Sequence, residues 1–231
     1  MQNIDTILTS FINDIRTKYV IVSSTTISST VVEYTLSKNA GFVTGDFVNI
    51  NDSQYLPVLS FNNTTKKFRV ESATKINSGF IQVNPIFYFY GKENEITNKF
   101  DRYQKDTILK YKVFPFVWRV SPTTVTKEPN EASESEYVLD LIIGTRCEPT
   151  KDTDYTTTNV IIPKLRPIYE NLIKNIKTNK YFTLKIQKGE ILQHEYTEEI
   201  LSRDEQNITS QFLAAIVIRG LRLKTNIIKN C

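Results

Sequence analysis

The sequence predicts an α+β chain that is mostly β. A small N-terminal β-barrel or sandwich is followed by an antiparallel sheet packed by one or two helices. Three observations predict it. Residues 18–90 carry short apolar or alternating runs separated by Asn, Ser, Thr and Pro, the punctuation of a barrel or sandwich. Residues 137–143 and 212–223 are longer apolar runs that read as buried strands. Residues 161–177 place Leu165, Ile168, Tyr169, Leu172, Ile173 and Ile176 on one helical face. The expected organisation is a helix at 1–17, a barrel-like unit at 18–91 and an α+β unit at 92–231.

The totals agree with that class. The chain has 231 residues and 40% hydrophobic content, enough for a core. The 12 Tyr and 13 Phe supply bulk. With 7 Gly only, most turns fall to Asn, Asp, Ser and Pro.

Residues 4–17 read as a short helix. Ile4, Ile7, Leu8, Phe11, Ile12 and Ile15 form one stripe, Asn3 is a candidate cap, and Asp5 lies where the helix dipole favours an acid. The stripe suits core packing or docking on a neighbouring subunit, with packing preferred.

Strands follow at 19–22, 30–36, 47–50, 54–60, 66–71 and 80–83, with a turn at 61–65. Pro57 marks an edge strand or a bulge. The stretch Gly45-Asp46-Phe47 suits the first hairpin of a small barrel. Such barrels often bind oligonucleotides through aromatic platforms beside basic groups. Phe68, flanked by Lys66, Lys67 and Arg69, is the candidate platform. The competing reading turns Phe68 inward as core.

Phe87, Tyr88, Phe89 and Tyr90 are four consecutive aromatics. They cover both faces of a strand, so each face needs a further layer or a subunit contact. Residues 92–105 are helix-capable, with Ile96, Lys99, Phe100 and Tyr103 in register. Residues 108–113 lead into a strand at 114–120, with Phe116 and Trp118, the latter its anchor. Residues 121–136 contain Pro122, Pro129 and an acidic tip with Glu131, Glu134 and Glu136. They read as a loop, a long hairpin or an arm reaching a partner. After the strand at 137–143 comes a polar loop, 147–159, and then the helix, with Pro163 and Pro167 near its start. A strand at 181–186, a charged hairpin or arm at 190–203 and the last long strand complete the chain.

Reactive chemistry is missing from the pattern. The one histidine, His194, sits in a charged stretch without an evident partner. Asp152 and Asp154 lack the glycine and distant glutamate of a calcium loop. No glycine-rich phosphate loop occurs. Glu198 and Glu199 have no apolar surroundings to tune them. No catalytic, cofactor-binding or metal-ligating residues are predicted, and the chain does not read as an enzyme. Cys147 and Cys231 are far apart, with no zinc-type spacing; a disulfide between them is open, and the reduced state is preferred. The first residues do not read as a signal peptide. No run approaches the roughly 18 apolar residues of a membrane helix, so no membrane partner is expected. The net charge of +4, from 29 basic and 25 acidic residues, is scattered. It suggests a mixed-charge surface, with a weakly basic channel wall as the alternative.

One resemblance ties these parts together. The runs Phe114-Pro115-Phe116-Val117-Trp118, Tyr137-Val138-Leu139-Asp140-Leu141-Ile142-Ile143 and Leu165-Arg166-Pro167-Ile168-Tyr169 occur in an order that resembles the tail-terminator and tail-completion proteins of tailed bacteriophages. Those begin with a helix, lay a helix of the LRP-x-Y type across a sheet and end on a long strand. The low-Gly, Asn/Ile/Lys-rich style is similar to phages of gut Bacteroidetes, including the crAss-like group. The resemblance spans about residues 96–231, while 18–90 depart from it as an inserted or added barrel. It implies a closed ring of identical subunits in the virion neck or tail junction, assembled in the host cytoplasm. It further implies portal, connector or tail proteins as neighbours, genomic DNA passing through the lumen, and no catalysis and no cofactor. A ring follows when a heterologous interface closes. The expected subunit-interface residues are Phe87, Tyr88, Phe89, Tyr90, Phe116, Trp118, Arg166, Tyr169, Glu134 and Glu136. Lys164, Lys174 and Lys177 join Arg166 as basic counterparts of the acidic tip. Two other readings stand beside it: a nucleic-acid-binding β-barrel protein, and a peripheral tail or baseplate adaptor.

Overall fold

The computed structural model describes residues 4–15, 18–51, 54–72, 75–83, 86–106, 113–127, 135–147, 156–184, 194–200 and 212–225. The chain is α+β and mostly β, with a closed barrel and a second sheet packed by helices. The first helix, α1 (Ile4–Asn13), buries the whole expected stripe, Ile15 included. It stops short of Thr17. The Ile15 amide bonds back to the Ile12 carbonyl, the tightened last turn common at helix ends, and the last turn holds no basic residue to complement the dipole. Packing is therefore the role of this stripe. Asn3 lies outside the described residues.

Six strands close the barrel: β1 (Lys18–Thr26), β2 (Val31–Leu36), β3 (Phe47–Ile50), β4 (Gln54–Asn62), β5 (Lys67–Glu71) and β6 (Gly79–Val83), in the order β1-β2-β5-β4-β3-β6. Alternation is cleanest in β2 and β5. Val32, Tyr34 and Leu36 of β2, and Phe68 and Val70 of β5, point inward, and the residues between them point out. The Tyr34 and Phe68 rings stack at 5.4 Å, and Phe42 meets Phe68 edge-on at 5.6 Å. Closure leaves β4 no free edge; Pro57 pairs in register with Phe47, and a bulge lies just past it, where the β4–β5 register shifts between Val58 and Ser60. The β3–β4 turn brings Asn51 (φ 49°) against Gly79 (φ 141°). Asn51 Oδ1 accepts the Phe80 amide at 2.8 Å, and a Cβ on residue 79 would stand 2.2 Å from that oxygen. Only glycine fits there.

The second sheet has the order β10-β12-β9-β8-β7, with β11 also paired to β12. Its strands are β7 (Phe87–Gly91), β8 (Phe116–Lys127), β9 (Ser135–Arg146), β10 (Phe182–Leu184), β11 (His194–Ile200) and β12 (Phe212–Thr225). The sheet is antiparallel except at one pair. Strand β7 runs parallel to β8, the crossover between them carrying helix α2 (Glu93–Lys105). Residues 87–91 thus hydrogen-bond into this sheet rather than the barrel. Residues 121–127 and 135–136, expected as loop or hairpin, extend β8 and β9 into a long hairpin paired as far as Lys127 with Ser135. Glu131 and Glu134, of the acidic tip expected from the sequence, lie outside the described residues, as do Asp152, Asp154 and Cys231.

The expected helix begins earlier than the apolar pattern indicates. A π-helical segment, Thr157–Leu165, contains Pro163 and leads into α3 (Arg166–Thr178), where Pro167 occupies the first turn. In the sequence, residues 157–159 read as polar loop because Thr157, Thr158 and Asn159 carry no apolar period. Pro163 has no amide to give to a helical ladder, and the segment that contains it is π-helical rather than α-helical.

Helices cover both faces of the second sheet. On one side α1, α3 and the π segment pack on Val117, Leu139, Leu141, Ile143, Ile216, Ile218 and Leu221. On the other, Ile96 and Phe100 of α2 pack with Phe89, Phe114, Phe116 and Trp118. Gly144 admits the Phe116 ring, which would stand 2.4 Å from a Cβ at that position.

Candidate functional site

The aromatic strands carry the expectation of a subunit contact. Phe89, Phe116 and Trp118 are buried within the chain. Trp118 Nε1 donates to the Gly91 carbonyl at 3.1 Å, and Phe89 packs on Phe100 of α2 at 4.9 Å. The layer these strands require is supplied by the chain's own α2, so in this fold these three residues offer no surface to a second copy. Phe87 is half-buried on the same side, against Tyr103.

The opposite side of β7 is different. Tyr88 is half-buried and donates its hydroxyl to Asp5 Oδ1 at 2.6 Å. Arg119 grips the same carboxylate with Nε at 2.7 Å and Nη2 at 3.0 Å, a forked pair. Asp5, expected as a dipole partner, thus ties α1 to the sheet. Burial, then the adjoining Asp5, pushes the Tyr88 phenol up. Burial alone would lower Arg119, but the Asp5 hydrogen bond and charge outweigh it and hold it up. Tyr90 is 55% exposed, with Arg119 and Lys99 near its ring at 5.8 and 5.7 Å. Of the four consecutive aromatics, Tyr90 alone presents a largely open face.

The expected basic counterparts separate. Arg166 pairs with Glu170 one turn on, at 2.9 Å on the surface, and Tyr169 is half-buried against the core. Lys164 is not on the surface at all. Its ammonium lies 2.6 Å from Asp46 Oδ2, with side-chain exposures of 1% and 5%. Asp46 Oδ2 also accepts the Val43 amide at 3.0 Å. Tyr19 Oη donates to the Pro163 carbonyl at 3.0 Å. Gly41 (φ +64°) lies so close to Asn159, Pro163 and Lys164 that a Cβ would stand 3.0 Å from each. These contacts fasten the barrel to the π-helical segment. The sequence held one signal for Lys164: it shares the i, i+4, i+8 stripe of Ile168 and Leu172.

On the barrel, Phe68 is 1% exposed, so it is core and not a stacking platform. Its flanking cations are engaged: Lys67 Nζ and Arg69 Nε reach the two oxygens of Glu33 at 3.0 and 2.9 Å. Those hydrogen bonds, Lys67 first and then Arg69, hold the Glu33 carboxyl below its ordinary range. Beside them lies an open cleft of about 450 Å³, which also takes in Ser60, Asn62 and Thr65.

Comparison with known protein families and with curated proteins returns no match. Among the described residues, no three His, Cys, Asp or Glu side chains gather as a metal site. No helix there is long and apolar enough to cross a membrane. His194 opens β11 opposite Ile218, and Glu198 and Glu199 follow in the same strand; their side chains lie outside the described residues. Glu136 pairs in register with Thr126 and Lys224. The arrangement offers surfaces for contact: Tyr90 beside Arg119, and the barrel cleft.

Proposed function

We propose that the chain is a structural subunit of a closed ring in the neck or tail junction of a tailed bacteriophage, where head and tail connect. The order of elements carries this reading. A leading helix packs under a sheet, the LRP-x-Y helix crosses that sheet and a 14-residue strand ends the described chain. The barrel interrupts this order between α1 and β7, as expected of an insertion. Uncovered aromatic strand surface lends it no support, because α2 covers Phe89, Phe116 and Trp118. Portal, connector or tail proteins would be its neighbours, and DNA would pass through its lumen.

Mass photometry of the purified native chain, with immunogold electron microscopy of phage particles, tests the proposal. The expected result is a discrete cyclic oligomer and labelling at the neck. A chain that stays monomeric at all concentrations and labels no particles would overturn it, and labelling at the particle periphery would favour the adaptor reading.

A further inference from the structure

Strand β7 is an edge of the second sheet. Among the described residues its strand partner is β8 alone. The Phe87 amide bonds to the Pro115 carbonyl at 2.9 Å, which sets the alternation of the parallel ladder. Phe87, Phe89 and Gly91 turn their main-chain groups to β8, and Tyr88 and Tyr90 turn theirs to the outer edge. Tyr90 is also the exposed side chain of the strand, at 55%.

The two edges of this sheet are guarded differently. On the far side β10 has only 3 residues, and β11 carries Glu195, Glu198 and Glu199. Short length and charge are deterrents to the addition of a further strand. The run Phe87-Tyr88-Phe89-Tyr90-Gly91 has no charge and no proline, and its register with β8 is unbroken. An edge of that kind is a template for another strand.

Register and charge select the occupant. Phe89 is the middle residue of β7. An antiparallel pair of β7 strands centred on Phe89 sets Tyr88 opposite Tyr90 of the partner subunit, and Tyr90 opposite Tyr88 of the partner subunit. Those are the residues whose amides and carbonyls face outward, so both amides and both carbonyls find partners. Helix α2 packs over the Phe89 ring and, as the crossover of a parallel pair, runs back against the direction of β7. A two-fold axis at Phe89 therefore lays the two α2 helices side by side and antiparallel. The helix begins Glu93-Asn94-Glu95 and holds Arg102 and Lys105 in its last turn, with Glu95, Arg102 and Lys105 exposed. The acidic end of one copy then lies beside the basic end of the other, at both ends of the contact.

We infer that β7 pairs with β7 of a second copy of this chain across a two-fold axis at Phe89, joining the two sheets into one. The contact does not rest on the ring reading. An isologous interface closes a dimer by itself, and added to a ring it joins two rings back to back.

Tyr90→Pro tests it on the full chain. It deletes an outward amide and leaves the ladder to β8 complete, as a proline on an edge strand does. Mass photometry should show the native assembly halved in mass, with the dissociation constant of the two-fold contact raised by at least about tenfold, since a main-chain hydrogen bond is lost on each side of the axis. Tyr90→Phe keeps those bonds and should assemble like the native chain. Arg102→Glu with Lys105→Glu should weaken the contact, less so at high salt. In the native chain, hydrogen exchange at the Tyr88 and Tyr90 amides should slow as the protein concentration rises. If Tyr90→Pro assembles like the native chain, the contact is overturned and the ring reading stands. If Tyr90→Pro does not fold, exchange in the native chain decides: amides left unprotected at every concentration overturn the contact. A native chain that is monomeric throughout, with those amides unprotected, leaves the edge to a different partner and overturns self-pairing and the ring reading together.

Discussion

The Lys164 ammonium and the Asp46 carboxylate meet at 2.6 Å although 118 residues separate them. One belongs to the π-helical segment that leads into α3, the other to the loop entering β3, and both are buried. Desolvation makes such a pair costly to form and costlier to break. Lys164→Met should therefore lower stability by about 3–5 kcal/mol, because it leaves the buried Asp46 carboxylate charged without its cation. Lys164→Met with Asp46→Asn should recover much of that loss. Urea unfolding of the three proteins measures both; a single variant as stable as the native chain would contradict the buried pairing.

Phe68→Ala should cost about 3–5 kcal/mol through the cavity it opens between Tyr34 and Phe42. Retention on single-stranded DNA should be the same before and after the substitution at a temperature where both chains are folded. Lost retention without lost stability would restore Phe68 as a stacking residue.

Glu33 predicts an acid-side effect. Its carboxyl sits below the ordinary range because Lys67 and Arg69 hydrogen-bond its charged form. The stability it contributes is present above the unfolded-state value, about 4.3, and is lost as pH falls through the lower folded value. The stability gap between the native chain and Glu33→Gln should thus be constant from pH 6 to 8, taken as roughly neutral, and shrink in acid. A gap that widens on acidification would show the opposite sign.

Tyr88 predicts the alkaline counterpart. Burial and Asp5 raise its phenol, so its contribution is full below the unfolded tyrosine value of about 10 and is lost as pH rises above it. Tyr88→Phe should cost about 1.5–3 kcal/mol at neutral pH, the worth of a hydrogen bond to a charged group, and the deficit should narrow in alkali. Thermal unfolding of both chains across that range is the measurement.

The local pattern made most elements legible. Alternation located the barrel strands, and the 3.6-residue period placed Leu165, Ile168, Leu172 and Ile176 on the buried face of α3. What it left undetermined was pairing between distant segments. Residues 87–91 follow the barrel in sequence, yet their partner is β8 across α2; nothing local to four aromatics says which sheet receives them. The same gap explains Phe116 and Trp118, whose bulk is legible but whose cover is not. In the sequence, Lys164 reads as a surface charge because its partner, Asp46, is 118 residues away. The π-helical start at Thr157 was hidden because Thr and Asn carry no apolar period.

The inbound and outbound strands of the barrel are themselves neighbours, with Lys18 beside Gln82 in the β1–β6 ladder. A module whose two ends meet can be excised and its flanks rejoined with a few residues, or grafted elsewhere with equal ease. Here the cassette would carry Asp46 away and strand the Lys164 ammonium in apolar surroundings. A clean excision of residues 18–83 therefore requires a neutral side chain at position 164.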